Sequence, residues 1–183
     1  MARESARSPR AATMLSLPVS HWKQFHDVRR PGRPDARIDH VLVGPSGVYV
    51  IQYRTSTGGH PAADTGWSLE TEVAEAAGAA EDVGGLLTAR YRTRVRPVLC
   101  LRDGEPMADQ VGGTMVTSFM SLEHIVRASP LVLSTCEVAE VADSLTAGLV
   151  PVPAVPVPVR PGRRWVLSRK LFAGLARRSA TAR

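Results

Sequence analysis

The stretch Ile38–Arg54, IDHVLVGPSGVYVIQYR, decides the fold. Two runs rich in β-branched residues flank Gly44-Pro45-Ser46-Gly47, the pattern of a tight β-hairpin. A turn symmetric about Pro45 and Ser46 sets residues opposite each other when their numbers sum to 91. Asp39 then faces Gln52, with Cβ atoms roughly 5 Å apart. Arg54, two residues further along, falls on the same face as Gln52. A carboxylate, an amide and a cation thus converge at one end of the hairpin. His40 points to the other face with Ile38 and Leu42, as a hydrogen-bonded core histidine.

The other elements follow outward from the hairpin. Trp22–Val28 reads as a short strand. Arg29–Arg37 (RRPGRPDAR), broken by two prolines and a glycine, reads as a loop. Thr55–Gly66 is a second loop, and Leu69–Arg90, rich in Ala and Glu, reads as a helix that Gly78, Gly84 and Gly85 could interrupt. Val95–Leu101 is apolar enough for a buried strand, and Met115–Phe119 for another, followed by a short helix over Ser121–Ala128. Ser134 and Glu137 form a capping box that opens a helix to Gly148, with Val138, Val141, Ala142 and Leu145 facing the core. The expected fold is α/β: a mixed sheet with a central antiparallel hairpin flanked by helices.

Charge divides the chain of 183 residues into three parts. Residues 1–37 hold eight Lys/Arg against three acids, residues 38–159 seven against fourteen, and residues 160–183 eight against none. The basic character therefore belongs to the ends and the centre is acidic, so the high overall pI is weak evidence that the domain itself holds nucleic acid. Only two of the basic residues are lysines, the bias of GC-rich coding. The expected organisation is a flexible arm over 1–19, a domain over 20–149, a Pro-rich linker over 150–162 (PVPAVPVPVRP) and a basic amphipathic tail over 163–183. The tail, with Trp165 and Phe172 on its apolar side, suits an anionic membrane surface through residues 163–178, a nucleic acid, or packing back onto the domain. Cys100 and Cys136 show no zinc spacing. Without a secretory leader or an apolar run of about 20 residues, the chain reads as cytoplasmic, with peripheral membrane attachment as the alternative.

IDHVLVGPSGVYVI, preceded by HDVRRPGR, resembles the nuclease-related domain family, a branch of the PD-(D/E)XK nuclease superfamily. The resemblance runs over about residues 20–149. It implies a restriction-endonuclease-like core. It also implies a divalent cation, usually magnesium, held by Asp39 and an acid at position 52, with a lysine at position 54 to orient water and stabilise charge. A hard cation needs carboxylate oxygens, and it activates water and neutralises the scissile phosphate. Here Gln52 replaces the acid and Arg54 the lysine; arginine is never deprotonated and its planar fork places charge differently. The helix acid that the family carries ahead of its first strand has only Glu4 as a counterpart. Magnesium is thus expected to bind weakly at Asp39 or not at all. Two functions stay open. One is a degenerate nuclease-fold module, built on Asp39, Gln52 and Arg54, that binds nucleic acid or a protein partner. The other is an atypical metal-dependent DNA nuclease completed by Glu70, Glu72 or Glu75. Arg29, Arg30, Arg33 and Arg37 are the candidate nucleic-acid contacts. A solvated loop that balances an acidic domain explains the same four arginines.

Overall fold

A computed structural model describes residues 15–55, 68–103 and 105–153. The chain divides after Val152 into two units, and nearly all described residues belong to the first. The Pro-rich segment beyond Pro153, the basic tail and most of the 55–66 loop lie outside the described residues.

The first unit is built on a six-stranded mixed sheet. Its strands are β1 (Lys23–Arg30), β2 (Arg33–Gly44), β3 (Gly47–Arg54), β4 (Val95–Leu101), β5 (Ala108–Val111) and β6 (Thr114–Ser118). Their order in space is β1-β2-β3-β4-β6-β5. The helices are α1 (Leu69–Gly85), α2 (Ala89–Arg92), α3 (Phe119–Ala128) and α4 (Thr135–Gly148). β1, β2 and β3 are antiparallel neighbours, β3-β4 and β4-β6 run parallel, and β5-β6 is a hairpin. The parallel pair β3-β4 requires a crossover, which α1 and α2 supply. The result is an α/β fold consistent with a nuclease-like core.

The central hairpin forms in the register that the sequence specifies: His40 pairs with Ile51, Val41 with Val50 and Gly44 with Gly47, each summing to 91. Its turn is clamped from outside. The Pro45 carbonyl accepts from the amides of Val132 and Leu133, and Ser46 Oγ donates to the Val126 carbonyl at 2.7 Å. Gly44 lies against Trp22, where a Cβ would come within 2.1 Å of the indole.

Alternation on these strands separates two cores. Val41, Val43, Val48 and Val50 pack under α1 and α4 with Ala79, Val83, Val141 and Leu145. Leu42, Tyr49 and Ile51 pack on the opposite face under α3, with Val98, Leu122 and Val126. Most of these side chains are fully buried, each contributing about 1.5–3 kcal/mol. Ile38 and Val28 join the α1/α4 core rather than the layer of Leu42. Strict alternation therefore slips between Ile38 and Val41, where Asp27 on the paired strand adopts a left-handed φ of 51°.

Three expectations are corrected. Arg29–Arg37 is not a loop: β1 and β2 continue through it as a second hairpin, closed by Pro31-Gly32. Proline fixes φ at the first turn position and Gly32 supplies a φ of 71° at the second. Three extra residues, Pro34–Ala36, are accommodated by a register shift next to Arg30. The N-terminal arm ends earlier than expected, because Leu15 and Leu17 are buried in the α3-side core. β5 is an additional edge strand, joined to β6 through Gly112-Gly113, both at positive φ. At the other sheet edge, Val150–Val152 lies along β1: Arg29 N–H donates to the Val150 carbonyl and Val152 N–H to that of Asp27. Among the described residues, no helix is long and apolar enough to cross a membrane.

Candidate functional site

The site is assembled where β3 ends and α1 begins. Regular alternation on β3 aims Gln52 and Arg54 at the α1 side, continuing the row of Val48 and Val50. Helix α1 starts at Ser68, whose hydroxyl accepts from the Thr71 amide at 3.1 Å, and this cap fixes the first turns over the end of β3. Glu72 and Glu75, three residues apart, share one face of the helix.

Arg54 meets both. Its Nε donates to Glu72, one Nη donates to Glu75 at 3.3 Å, and the other Nη donates to the Tyr53 carbonyl at 3.0 Å. That last nitrogen also stands 3.9 Å from Asp39 Oδ2. The Arg54, Glu72 and Asp39 side chains are only 16–19% exposed. The guanidinium is therefore held by three carboxylates in a half-buried setting, where one cation among three anions avoids the cost of unpaired buried charge.

Asp39 has a second task. The β2-β3 ladder ends at His40/Ile51, and one residue on, Asp39 Oδ2 accepts the Tyr53 backbone N–H at 2.9 Å. A side-chain carboxylate replaces the backbone acceptor at the slip in alternation. Gln52, 1% exposed, turns its amide nitrogen to the Arg37 carbonyl at 3.1 Å. Its Oε1 is buried without a partner among the described residues.

These residues do not fit a divalent ion alongside Arg54. The position between Asp39 and the α1 carboxylates is taken by the guanidinium, and one Asp39 oxygen is committed to the ladder. Among the described residues no cluster of three or more His, Cys, Asp or Glu side chains is arranged to hold a metal.

The four arginines of the β1-β2 region are not one cluster. Arg30 is 6% exposed and forms a 2.5 Å ion pair with Asp82 of α1. It crosses α1 at Gly78, where a Cβ would lie 2.7 Å from its guanidinium. Arg30, one of the four candidate nucleic-acid contacts, is therefore placed as a buried bridge to α1, with its guanidinium on Asp82. Arg37 reaches Asp27 at 3.5 Å. Arg29 and Arg33 are exposed, with Arg29 donating to the Pro34 carbonyl at 3.3 Å. Glu70, the third candidate acid of α1, is exposed, and the α1 ion pairs of Arg54 go to Glu72 and Glu75.

A separate polar cluster lies on the α3 side. His26 and His40 are cross-strand partners with ring centroids 4.2 Å apart. His40 Nδ1 is 3.2 Å from the Tyr53 hydroxyl. Burial, reinforced by His26, holds His40 down to a pKa of about 3, so it is neutral. Burial pushes the Tyr53 hydroxyl upward and the Cys100 thiol up to about 12, so neither is an ionised nucleophile at neutral pH. Nothing in the motif around the central hairpin singles out His26. Reading Pro31-Gly32 as a turn would set His26 opposite Arg37, since the pair Arg30/Arg33 sums to 63; the register shift next to Arg30 moves the ladder to a sum of 66 and brings His26 opposite His40.

A family model for the nuclease-related domain matches residues 5–101, just over half of the 183 residues. No curated protein and no solved structure matches the chain. The matched range holds both hairpins, α1, α2, β4 and the Asp39–Arg54 site. The chain belongs to the nuclease-related domain family.

Proposed function

We propose that this protein is a nuclease-fold module that binds nucleic acid without cutting it. The observation that carries the proposal is Arg54, whose guanidinium is paired with Asp39, the carboxylate that would hold a metal ion in an active member of the family, and with Glu72 and Glu75. Hydrolysis of a phosphodiester by this class of site depends on a metal ion to generate the nucleophile and neutralise developing charge. Arginine cannot generate that nucleophile, because it neither ligates nor deprotonates water. Binding requires only cations presented to the phosphate backbone. Arg29 and Arg33, exposed on the β1-β2 hairpin, suit that role.

Labelled single- and double-stranded DNA, titrated with the full chain at several salt concentrations with and without magnesium or manganese, tests the proposal. Binding that weakens with salt, does not depend on the metal and leaves the DNA intact is expected. Replacing Arg29 and Arg33 together by Ala should weaken binding uniformly across sequences and lower the salt slope by about one for each phosphate no longer neutralised. Metal-dependent cleavage that Asp39→Ala abolishes would overturn the non-cleaving reading. Absence of any DNA binding would overturn the choice of ligand.

The second reading, an atypical nuclease, is favoured by one observation: Glu72 and Glu75 reach the same guanidinium that Asp39 approaches. It requires Arg54 to leave them. The cleavage arm of the same experiment decides it.

A further inference from the structure

We infer that Arg92, Arg94 and Arg96, gathered at the turn end of the central hairpin, form a contact surface for the phosphate backbone of a nucleic acid. The inference rests on the reading that the protein binds nucleic acid, and places a contact at the end of the sheet opposite Asp39 and Arg54.

Charge along the sequence first marks this region. Residues 38–159 hold seven arginines against fourteen acids, and four of the seven fall in the short run Arg90–Arg96 (RYRTRVR). A polyanion that approaches an acidic domain is repelled except where cations are concentrated.

The structure then divides the run. Arg90 is engaged locally, paired with Glu137 and lying over the Tyr91 ring at 5.1 Å from its centroid. The Tyr91 hydroxyl donates to Glu140 at 2.6 Å. The two acids that α4 sets against α2 are therefore occupied, Glu137 also by its capping box with Ser134. Arg30, Arg37, Arg54 and Arg127 each have a carboxylate partner. Arg92, Arg94 and Arg96 have none among the described residues, in a domain with two acids for every base.

These three guanidiniums stand on fixed backbone. Arg92 and Arg94 are exposed and Arg96 is half-buried. Arg92 Nε donates to the Leu87 carbonyl at 3.1 Å, which leaves its terminal nitrogens for a ligand. Arg94 lies in the turn between α2 and β4. Its N–H donates to the Tyr91 carbonyl at 2.9 Å, and its carbonyl accepts the Val48 N–H at 3.0 Å. Arg96 lies over the Tyr49 ring, 5.7 Å from the centroid. That ring is fully buried, and its hydroxyl donates to Ser46 Oγ at 2.9 Å. Arginines held in this way lose little freedom on binding, and their planar forks match phosphate oxygens.

The position of the surface agrees with binding that leaves the strand uncut. β3 and β4 run parallel, with Val48 opposite Val95 and Arg54 opposite Leu101. The arginines stand where both strands begin, and Asp39 and Arg54 where they end, roughly 20 Å away along β3. Arg29 and Arg33 belong to that far end too, because β2 runs from Arg33 to the central turn.

Titration of labelled duplex DNA with the full chain at several salt concentrations tests the inference. Wild type is compared with Arg92→Gln/Arg94→Gln and with Lys23→Gln/Arg102→Gln, which removes the same charge elsewhere on the domain. The Arg92/Arg94 variant should bind at least about tenfold more weakly at low salt, with a salt slope lowered by about two. Adding Arg96→Gln should lower the slope by about one more, and the control variant should stay within about twofold of wild type. Equal losses in the two double variants overturn the inference, because total charge alone would then govern binding. If wild type binds and the Arg92/Arg94 variant is unchanged, this surface is overturned and the nucleic-acid reading stands; if wild type binds no DNA, both fall. Vesicles containing phosphatidylserine form the contrasting arm. Dependence on Arg92 and Arg94 there, and not on DNA, would assign the surface to a membrane and overturn the inference. Should the double variant unfold before wild type, Arg94→Gln alone is expected to lower the slope by about one, and an unchanged slope counts equally against the inference.

Discussion

Arg30 and Arg54 reach the same helix from different strands of the sheet, and each ends on a carboxylate of α1. They differ in what surrounds the pair. Arg30 meets Asp82 alone and crosses the helix where Gly78 has no side chain. Two effects of opposite sign meet at that glycine. Alanine in a helix interior is favoured over glycine by about 1 kcal/mol. A Cβ at Gly78 would lie 2.7 Å from the Arg30 guanidinium and push it off Asp82, and disturbing a largely buried ion pair costs more than the propensity gain. Gly78→Ala is therefore expected to lose about 1–2 kcal/mol in denaturant titration. A more stable variant would mean the arginine has room to move. His40 offers a pH test. Its folded pKa of about 3 lies below the ordinary 6.5, so the unfolded chain takes up a proton that the native state refuses. Stability attributable to neutral His40 is complete above pH 6.5 and is lost as pH falls toward 3. Between about pH 6.5 and 5, above the range where carboxylates titrate, wild type should lose about 1–2 kcal/mol relative to His40→Asn. Parallel curves for the two proteins would show that His40 can protonate in place. Much of the chemistry at this scale is legible in the sequence. The hairpin register follows from the turn residues alone, and Glu72 and Glu75 stand out by their position on the helix after it. The Arg54 grip on both is not legible, because it depends on the angle at which α1 crosses β3.

At the scale of elements, turn chemistry separates what the residues reveal from what they hide. The β2-β3 hairpin has strong β-branched arms on both sides of its turn. The β1-β2 hairpin has its own Pro-Gly signal, but its second arm begins RPDAR, and the prolines and charges hide the strand. Pro34–Ala36 are spent in the register shift, so the arm resumes regular pairing only at Arg37. β5 is hidden because ADQV has weak strand propensity and is held by its pairing with β6 rather than by its own side chains, three of which are exposed. The α4 capping box is legible because it is purely local, and both of its reciprocal hydrogen bonds are present. Non-local packing is not legible: Gly44 reads as an ordinary turn glycine, yet Trp22 lies across it. Gly44→Ala would force a Cβ to within 2.1 Å of the Trp22 ring, between two rigid groups. The indole must move, opening the α3-side core around Leu15, Leu17 and Leu42. A loss of about 2–3 kcal/mol is expected, in the range of overpacked cores. A loss below about 0.5 kcal/mol would show that Trp22 is not held in this position.

For the whole molecule, charge is partitioned along the sequence. The acidic stretch 38–159 carries most of the sheet and the four described helices, while the last 24 positions, 160–183, contribute eight cations and no acids. If DNA is held by the phosphate backbone, affinity should follow the location of positive charge. Deleting residues 160–183 is expected to lower affinity for DNA at least about tenfold at low salt and to flatten its salt dependence, while the unfolding midpoint of the sheet domain stays within about 2 °C. Unchanged affinity would place the whole interface on the folded domain, with Arg29 and Arg33 as its first candidates. The family to which the chain belongs supplies the scaffold, and the proposed function turns on a single side chain at the end of β3. Isothermal titration of the intact wild-type chain with manganese and magnesium measures this most directly. Arg54 paired with Asp39, Glu72 and Glu75 predicts no heat of binding at millimolar metal. Stoichiometric binding of one ion, lost in Asp39→Ala, would contradict it.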